Sequence, residues 1–94
     1  MPSRTITEIS HIQLLDMIKE FEGLRKVGLN YAPAMSAKYG EERVNLFINV
    51  LKLMNDRKIH CNDFARVVLW ERDKGKKGME LKISGRKDLK IIDI

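Results

Sequence analysis

The sequence predicts an α+β fold in a single domain over residues 1–94, in which two long amphipathic helices pack on a small antiparallel sheet that ends in a C-terminal basic β-hairpin. Three observations support this prediction. Apolar residues recur at helical spacing in two stretches, one after Ser10 and one after Gly40. Apolar and polar residues alternate from Met79 to Ser84, which is the pattern of a half-buried strand. A chain of 94 residues is also too short for more than one hydrophobic core.

The first helix is predicted from about His11 to Val27. Ser10 and Gln13 have the spacing of a capping box, and Gly28 suits the position just after a helix. Residues 4–9 alternate in polarity and predict either a short edge strand or an extended arm. The apolar stripe of the helix consists of Leu14, Met17, Ile18, Phe21 and Leu24.

A short helix and a second long helix are expected next. Pro33 suits the first turn of a short helix that ends at Gly40. The helix after Gly40 is apolar over more than half of its circumference, so it is either the central core helix or partly an interface between copies of the chain. A homodimer is therefore an open alternative. The polar stripe of this helix consists of Asn45, Asn49, Lys52 and Asp56.

The last third of the chain predicts the sheet. Residues 62–73 fit either a third helix, begun by Asn62 and Asp63, or a buried strand, and Val67 and Trp70 slightly favour the strand. The other predicted elements are a turn over Lys74–Gly78, a strand over Met79–Ser84, a turn over Gly85–Asp88 and a return strand over Leu89–Ile94. The expected order is a strand or arm, two helices, one helix or strand, and two strands.

The net charge of +5 is concentrated near the carboxyl end. Residues 72–90 contain 8 basic and 3 acidic side chains, whereas residues 1–57 contain 8 basic and 7 acidic ones. The basic residues of the C-terminal segment are Arg72, Lys74, Lys76, Lys77, Lys82, Arg86, Lys87 and Lys90. Such a cluster either attracts polyanions, because Lys and Arg displace the counterions held by phosphate, or serves as a solubilising face. We expect these side chains to project together as one cationic ridge.

The motifs of several catalytic and metal-binding classes are absent from the sequence. There is no P-loop, nucleophile elbow, zinc-protease motif or EF-hand spacing. His60, Cys61 and Asp63 lie close together, but the chain has two His and one Cys, too few for a zinc site of four N or S ligands. One cysteine also rules out an internal disulfide. We therefore expect no metal, no cofactor and no enzymatic activity.

The order of the predicted elements fits two DNA-binding arrangements to different degrees. A helix-turn-helix formed by residues 33–39 and the helix after Gly40 is disfavoured, because its recognition helix would offer only Arg43, Asn45 and Asn49 to base edges. A winged arrangement fits better, with the terminal hairpin as the wing. Lys and Arg on such a hairpin give affinity and position without reading the base sequence.

The leading hypothesis is a non-enzymatic accessory or regulatory protein that contacts nucleic acid, or a nucleoprotein complex, through residues 72–90. The alternative is a small protein-binding regulator or inhibitor whose basic hairpin docks on an acidic partner surface, with Tyr31, Tyr39 and Trp70 as aromatic contacts. The two tyrosines flank a predicted loop and are expected to be exposed. A third hypothesis is a homodimer whose function lies in assembly.

No membrane association is expected from the sequence. No apolar run approaches the ~20 residues that a membrane-spanning helix needs. The first residues also lack the hydrophobic core of a secretory signal. The expected location is therefore the cytoplasm.

Overall fold

A computed structural model describes residues 4–72, 75–83 and 89–92. The described residues form three helices and an antiparallel sheet with the strand order β1-β2-β3-β4, so the predicted α+β class is confirmed. In chain order, the elements are β1 (Arg4–Ser10), α1 (His11–Lys26), α2 (Tyr31–Tyr39), α3 (Glu41–Arg57), β2 (Phe64–Glu71), β3 (Lys77–Ile83) and β4 (Leu89–Ile92). The arm-or-strand segment at the start is thus a strand at the edge of the sheet.

The first helix begins as its sequence predicts. The side-chain oxygen of Ser10 accepts a hydrogen bond from the backbone N–H of Gln13 at 3.2 Å, and α1 starts at the next residue. Its last turn carries Arg25 and Lys26, which favour the negative end of the helix dipole. The chain then leaves the helix through Gly28, whose φ of +75° lies in the region that glycine adopts readily.

The second helix confirms the short helix that the proline predicts. Asn30 caps α2, because its side-chain oxygen accepts from the backbone N–H of Ala32 at 3.3 Å. Pro33 is the third residue of the helix and therefore lies in its first turn. Gly40 ends α2 and directly precedes α3, with φ +95° and ψ 148°. This backbone conformation is essentially restricted to glycine, so the tight connection between the two helices depends on this residue.

The hydrophobic core lies between the helices and one face of the sheet. α3 contributes four buried residues, compared with two from α1 and one from α2. The buried residues of α3 are Val44, Leu46, Phe47 and Val50, and those of the sheet are Ile9, Phe64, Val67, Leu69, Met79 and Leu81. α3 is thus a central helix, while its side chains Ile48, Leu51, Leu53 and Met54 remain partly buried. The homodimer stays a prediction.

The segment that fits either a helix or a strand is a strand. Phe64–Glu71 pairs with β1 on one side and β3 on the other, which confirms the slight preference for sheet. Asp63 does not begin a helix. Its carboxylate accepts from the backbone N–H of His60 at 3.2 Å and closes a short 3₁₀ turn over Cys61–Asp63. The strand is the more stable structure for this segment, because it is paired on both edges and alternate side chains reach the core.

The C-terminal strand pair is described in part. β3 and β4 pair antiparallel, with Leu81 opposite Leu89 and Met79 opposite Ile91. Residues 84–88, which include the predicted turn Gly85–Asp88, lie outside the described residues, as do residues 93–94 of the predicted return strand. The basic character of this hairpin therefore stays a prediction.

Candidate nucleic-acid interface

Part of the predicted cationic set lies in residues 72–77, which comprise the connection between β2 and β3 and the first residue of β3 and which we call the basic turn. Its described cations are Arg72, Lys76 and Lys77, and all three side chains are exposed. The backbone N–H of Arg72 donates to the carbonyl oxygen of Lys76 at 2.7 Å, and Gly75 takes a positive φ of +71°. Lys74 lies outside the described residues. The turn therefore holds three cations on a short, internally bonded loop.

The two described lysines of the basic turn have no ion-pair partner among the described residues. Within the described ranges, neither Lys76 nor Lys77 forms an ion pair with a carboxylate. The neighbouring carboxylate of Glu71 instead lies 3.5 Å from the guanidinium of Arg4 on β1. No carboxylate among the described residues therefore compensates either ammonium group.

The ring of Trp70 contacts the guanidinium of Arg72 and is itself buried. The guanidinium carbon of Arg72 lies 5.3 Å from the centroid of the indole ring, within the range of a cation–π contact. Side chains alternate along β2, so Trp70 points to the sheet face opposite Leu69 and away from the helices. The residue of β3 that pairs with Trp70 is the buried Gly78. With 3% of its surface exposed, Trp70 is unsuited to the predicted role of aromatic contact.

Lys77 lies beside the central helix, a neighbour that the sequence analysis did not predict. It shares a sheet face with Met79 and Leu81, both of which are buried in the core. Together with α3 it borders a cleft of about 170 Å³. The cleft is lined by Glu42, Asn45, Leu46, Asn49, Leu69 and Lys77. The alternation of β3, extended back by two residues from Met79, is the signal that could have placed Lys77 on this face.

The cleft combines an apolar floor with four polar groups, and we call it the amide cleft. Leu46 and Leu69 are buried at 0% and 5% exposure, whereas Asn45 is exposed and Asn49 half-buried. Asn45 and Asn49 are four residues apart and therefore lie on one face of α3. The site thus offers two amides, one carboxylate and one ammonium group around an apolar base.

Lys82 does not join the basic turn. Five residues separate it from Lys77, about 16 Å along the strand, and alternation places the two side chains on opposite faces of β3. The ammonium of Lys82 lies 3.4 Å from a carboxylate oxygen of Glu80. The described cations therefore do not form one continuous ridge.

Three further members of the predicted cationic set are Arg86, Lys87 and Lys90. Arg86 and Lys87 fall outside the described residues. Lys90 is described by its backbone register, in which it lies opposite Glu80. These three residues remain candidates on the basis of sequence.

Tyr31 and Tyr39 are half-buried, so they are more exposed than Trp70 and Phe64, as predicted, but neither ring is freely exposed. The ring of Tyr31 meets that of Phe21 edge to face, with 4.6 Å between centroids. The hydroxyl of Tyr39 donates to a carboxylate oxygen of Glu20 at 3.1 Å. Both rings pack on α1 because they lie at the two ends of α2, the short helix that the sequence predicts.

Glu20, Lys38 and Tyr39 form a polar cluster that links α1 to α2. The same oxygen of Glu20 accepts from the ammonium of Lys38 at 2.7 Å. This hydrogen bond lowers the pKa of Glu20 and, in return, raises the pKa of Lys38. Burial and the bond to Glu20 raise the pKa of Tyr39. The cluster keeps its charged carboxylate and neutral phenol near neutral pH, which suits a structural link.

The start of α3 is acidic, which bears on the helix-turn-helix hypothesis. Glu41 and Glu42 occupy its first turn, and the carboxylate of Glu42 accepts from the hydroxyl of Thr7 at 3.0 Å. A recognition helix inserts its N-terminal residues among phosphates, where carboxylates repel. The geometry thus also disfavours α3 as a helix that enters the major groove.

The segment around His60 is organised by local hydrogen bonds. The backbone N–H of Asn62 donates to the Nδ1 atom of His60 at 3.2 Å. Among the residues that the structure describes, no group of three or more His, Cys, Asp or Glu side chains could hold a metal ion. In the same part of the chain, the helices are too short or too polar to cross a bilayer.

Comparison with known proteins finds no match: no family model fits the chain, and no curated protein or solved structure is significantly similar to it. A function is therefore inferred from the placement of the chain's own side chains.

Proposed function

We propose that this protein is a non-enzymatic accessory protein that contacts the phosphate backbone of nucleic acid through the basic turn. The observation that carries the proposal is the exposure of Arg72, Lys76 and Lys77 on one short loop, with neither lysine ion-paired within the described residues. Such cations release the counterions of phosphate at little cost, because binding breaks no ion pair that the described part of the chain contains.

The basic turn supplies affinity without base specificity. Lysine ammonium groups contact phosphate as point charges, and Arg72 is pre-positioned by the indole of Trp70. Fixing the guanidinium before binding lowers the entropy that binding would otherwise cost. The turn is thus suited to hold a polyanion in place.

The C-terminal hairpin is proposed as a second, separate contact. Its sequence places Arg86 and Lys87 in the turn that follows β3 and Lys90 in β4. Lys82 lies near the end of β3 that leads to this hairpin, but the carboxylate of Glu80 compensates its charge. A ligand that reaches both the basic turn and this hairpin would cross the sheet along β3.

Removal of the two unpaired lysines tests the proposal. Lys76→Ala together with Lys77→Ala should reduce the slope of log affinity against log salt by about 1.4 to 1.8, which is the contribution of two phosphate contacts. Fluorescence anisotropy with a labelled oligonucleotide at several salt concentrations measures this slope.

The matched control removes two exposed lysines elsewhere. Lys19→Ala with Lys26→Ala on α1 changes the net charge by the same amount and should leave the slope nearly unchanged. Equal slopes for the two double variants would show that only the overall charge matters and would refute the proposed interface.

A second candidate, a regulator that docks on an acidic protein surface, is favoured by one observation. Val27 and Leu29, at the end of α1, are 67% and 59% exposed, and Arg25 and Lys26 directly precede them. Apolar side chains rimmed by cations are typical of protein interfaces. Recovery of bound partners from lysate with and without nuclease separates the two candidates, because a nucleic-acid-dependent partner is lost on digestion.

A further inference from the structure

We infer that the amide cleft binds one unpaired nucleobase, so that the ligand held by the basic turn is a single strand. This inference rests on the proposed function and adds the class of nucleic acid to it. It is carried by the chemistry of the cleft walls, the size of the cleft and its position next to Lys77.

The amides of the cleft are available for a ligand. Within the described residues, neither the Asn45 nor the Asn49 side chain forms a hydrogen bond. Each amide carries two donors and one acceptor oxygen, and amides of this kind pair with the donor and acceptor edge of a base.

The size of the cleft fits a single flat ring system. Its volume of about 170 Å³ is below the roughly 300 Å³ at which pockets for drug-sized ligands begin. Leu46 and Leu69 close the floor of the cleft and are almost fully buried, so the hydrogen bonds to a base come from the polar walls. A base in a duplex is stacked between its neighbours and cannot enter a cleft, so only an unpaired base can occupy this one.

The cleft also has a phosphate contact at its border. Lys77 lines the cleft, and Lys76 is its neighbour in the basic turn. A nucleotide whose base enters the cleft therefore carries its phosphate toward cations that have no carboxylate partner among the described residues. The base contact and the phosphate contact come from one nucleotide, which explains why both kinds of side chain meet here.

The test compares a single strand of about 12 nucleotides, a length within the usual site size, with a duplex of the same length. In anisotropy titrations at about 0.1 M salt, Asn45→Ala with Asn49→Ala should lower single-strand affinity about tenfold and change duplex affinity less than twofold. Asn55→Ala, an exposed amide on the same helix outside the cleft, should change neither affinity. Alanine is the better helix former, so the variants should fold, and circular dichroism checks this.

The outcomes separate this inference from the proposed function. If the lysine double variant weakens binding while the asparagine double variant binds single strands as tightly as the unmodified protein, the inference is wrong and the proposed function stands. Equal affinity of the unmodified protein for the strand and the duplex also overturns the inference. If the unmodified protein shows no salt-dependent binding to either, both proposals fail.

Discussion

At the scale of single residues, two glycines on neighbouring elements have opposite roles. Gly40 takes a φ of +95° in the connection between α2 and α3, whereas Gly23 lies inside α1 with ordinary helical geometry. A Cβ built on either residue meets no atom within 4 Å. Any effect of alanine at these positions therefore comes from the backbone and not from a steric clash.

Alanine should destabilise the protein at Gly40 and stabilise it at Gly23. Gly40→Ala forces a side chain into a backbone region that costs about 1–3 kcal/mol. Gly23→Ala restricts the unfolded chain and improves helix propensity, a gain of about 0.5–1 kcal/mol. Urea unfolding of both variants measures the change in the free energy of unfolding, and a shift of the same sign for both would contradict the described geometry.

The pKa of Glu20 predicts how stability responds to acid. Hydrogen bonding to Lys38 lowers this pKa in the folded state, so its contribution to stability is present above the unfolded-state pKa and is lost as pH falls through the folded-state value. The pKa values of Lys38 and Tyr39 are raised in the folded state, so these groups affect stability at alkaline pH. Their contribution to the free energy of unfolding is fully present below their unfolded-state pKa values of about 10. It is lost as pH rises through their folded-state pKa values.

Glu20→Gln should therefore be less stable than the unmodified protein near neutral pH, and the difference should shrink below about pH 4. Chemical unfolding at about pH 7 and about pH 3.5 measures it. Glu22→Gln, an exposed carboxylate on the same helix, is the control and should show a smaller change at both pH values. A pH-independent difference for Glu20→Gln would rule out the ionic link between α1 and α2.

At the scale of elements, Phe21 joins all three helices. Its ring meets Tyr31 of α2 at 4.6 Å and Phe47 of α3 at 5.7 Å, both edge to face. The guanidinium of Arg25 lies 5.5 Å from the same ring. Since edge-to-face pairs contribute beyond the apolar area they bury, the relative placement of the helices depends on this aromatic group.

Replacement of Phe21 by leucine should weaken the helical layer by about 1–3 kcal/mol, because volume is lost together with two aromatic contacts. Thermal unfolding followed by circular dichroism gives the change. Ile12→Ala is a useful reference, since Ile12 is 72% exposed and should change stability by less than about 0.5 kcal/mol. Similar losses for the two variants would contradict the aromatic link.

The elements that the sequence predicts well are those with local causes. The start of α1 follows from the spacing of Ser10 and Gln13, and β3 follows from its own alternation, so neighbours along the chain suffice. The surroundings of Tyr31 and Tyr39 depend on how α2 packs on α1, and no local pattern contains that contact. For this reason the helix was predicted while the burial of its rings was not.

At the scale of the whole molecule, the candidate site combines parts that are far apart in sequence. Lys77 belongs to the cationic set that charge predicts, whereas Asn45 and Asn49 were predicted only as part of the polar stripe of their helix. Their meeting in one cleft depends on the packing of α3 against β2 and β3, which charge and periodicity do not reveal. Sequence could therefore supply Lys77 but not its grouping with the two amides, and Lys82 was grouped with Lys77 although they face opposite ways.

The antiparallel order of β2, β3 and β4 has a consequence for ligand length. The seven residues of β3 set its first and last residues about 20 Å apart. Stacked nucleotides advance about 3.4 Å per step along one strand. Under the proposed function, an oligonucleotide therefore needs about seven nucleotides to run the length of β3, and a shorter one should bind with a smaller salt dependence.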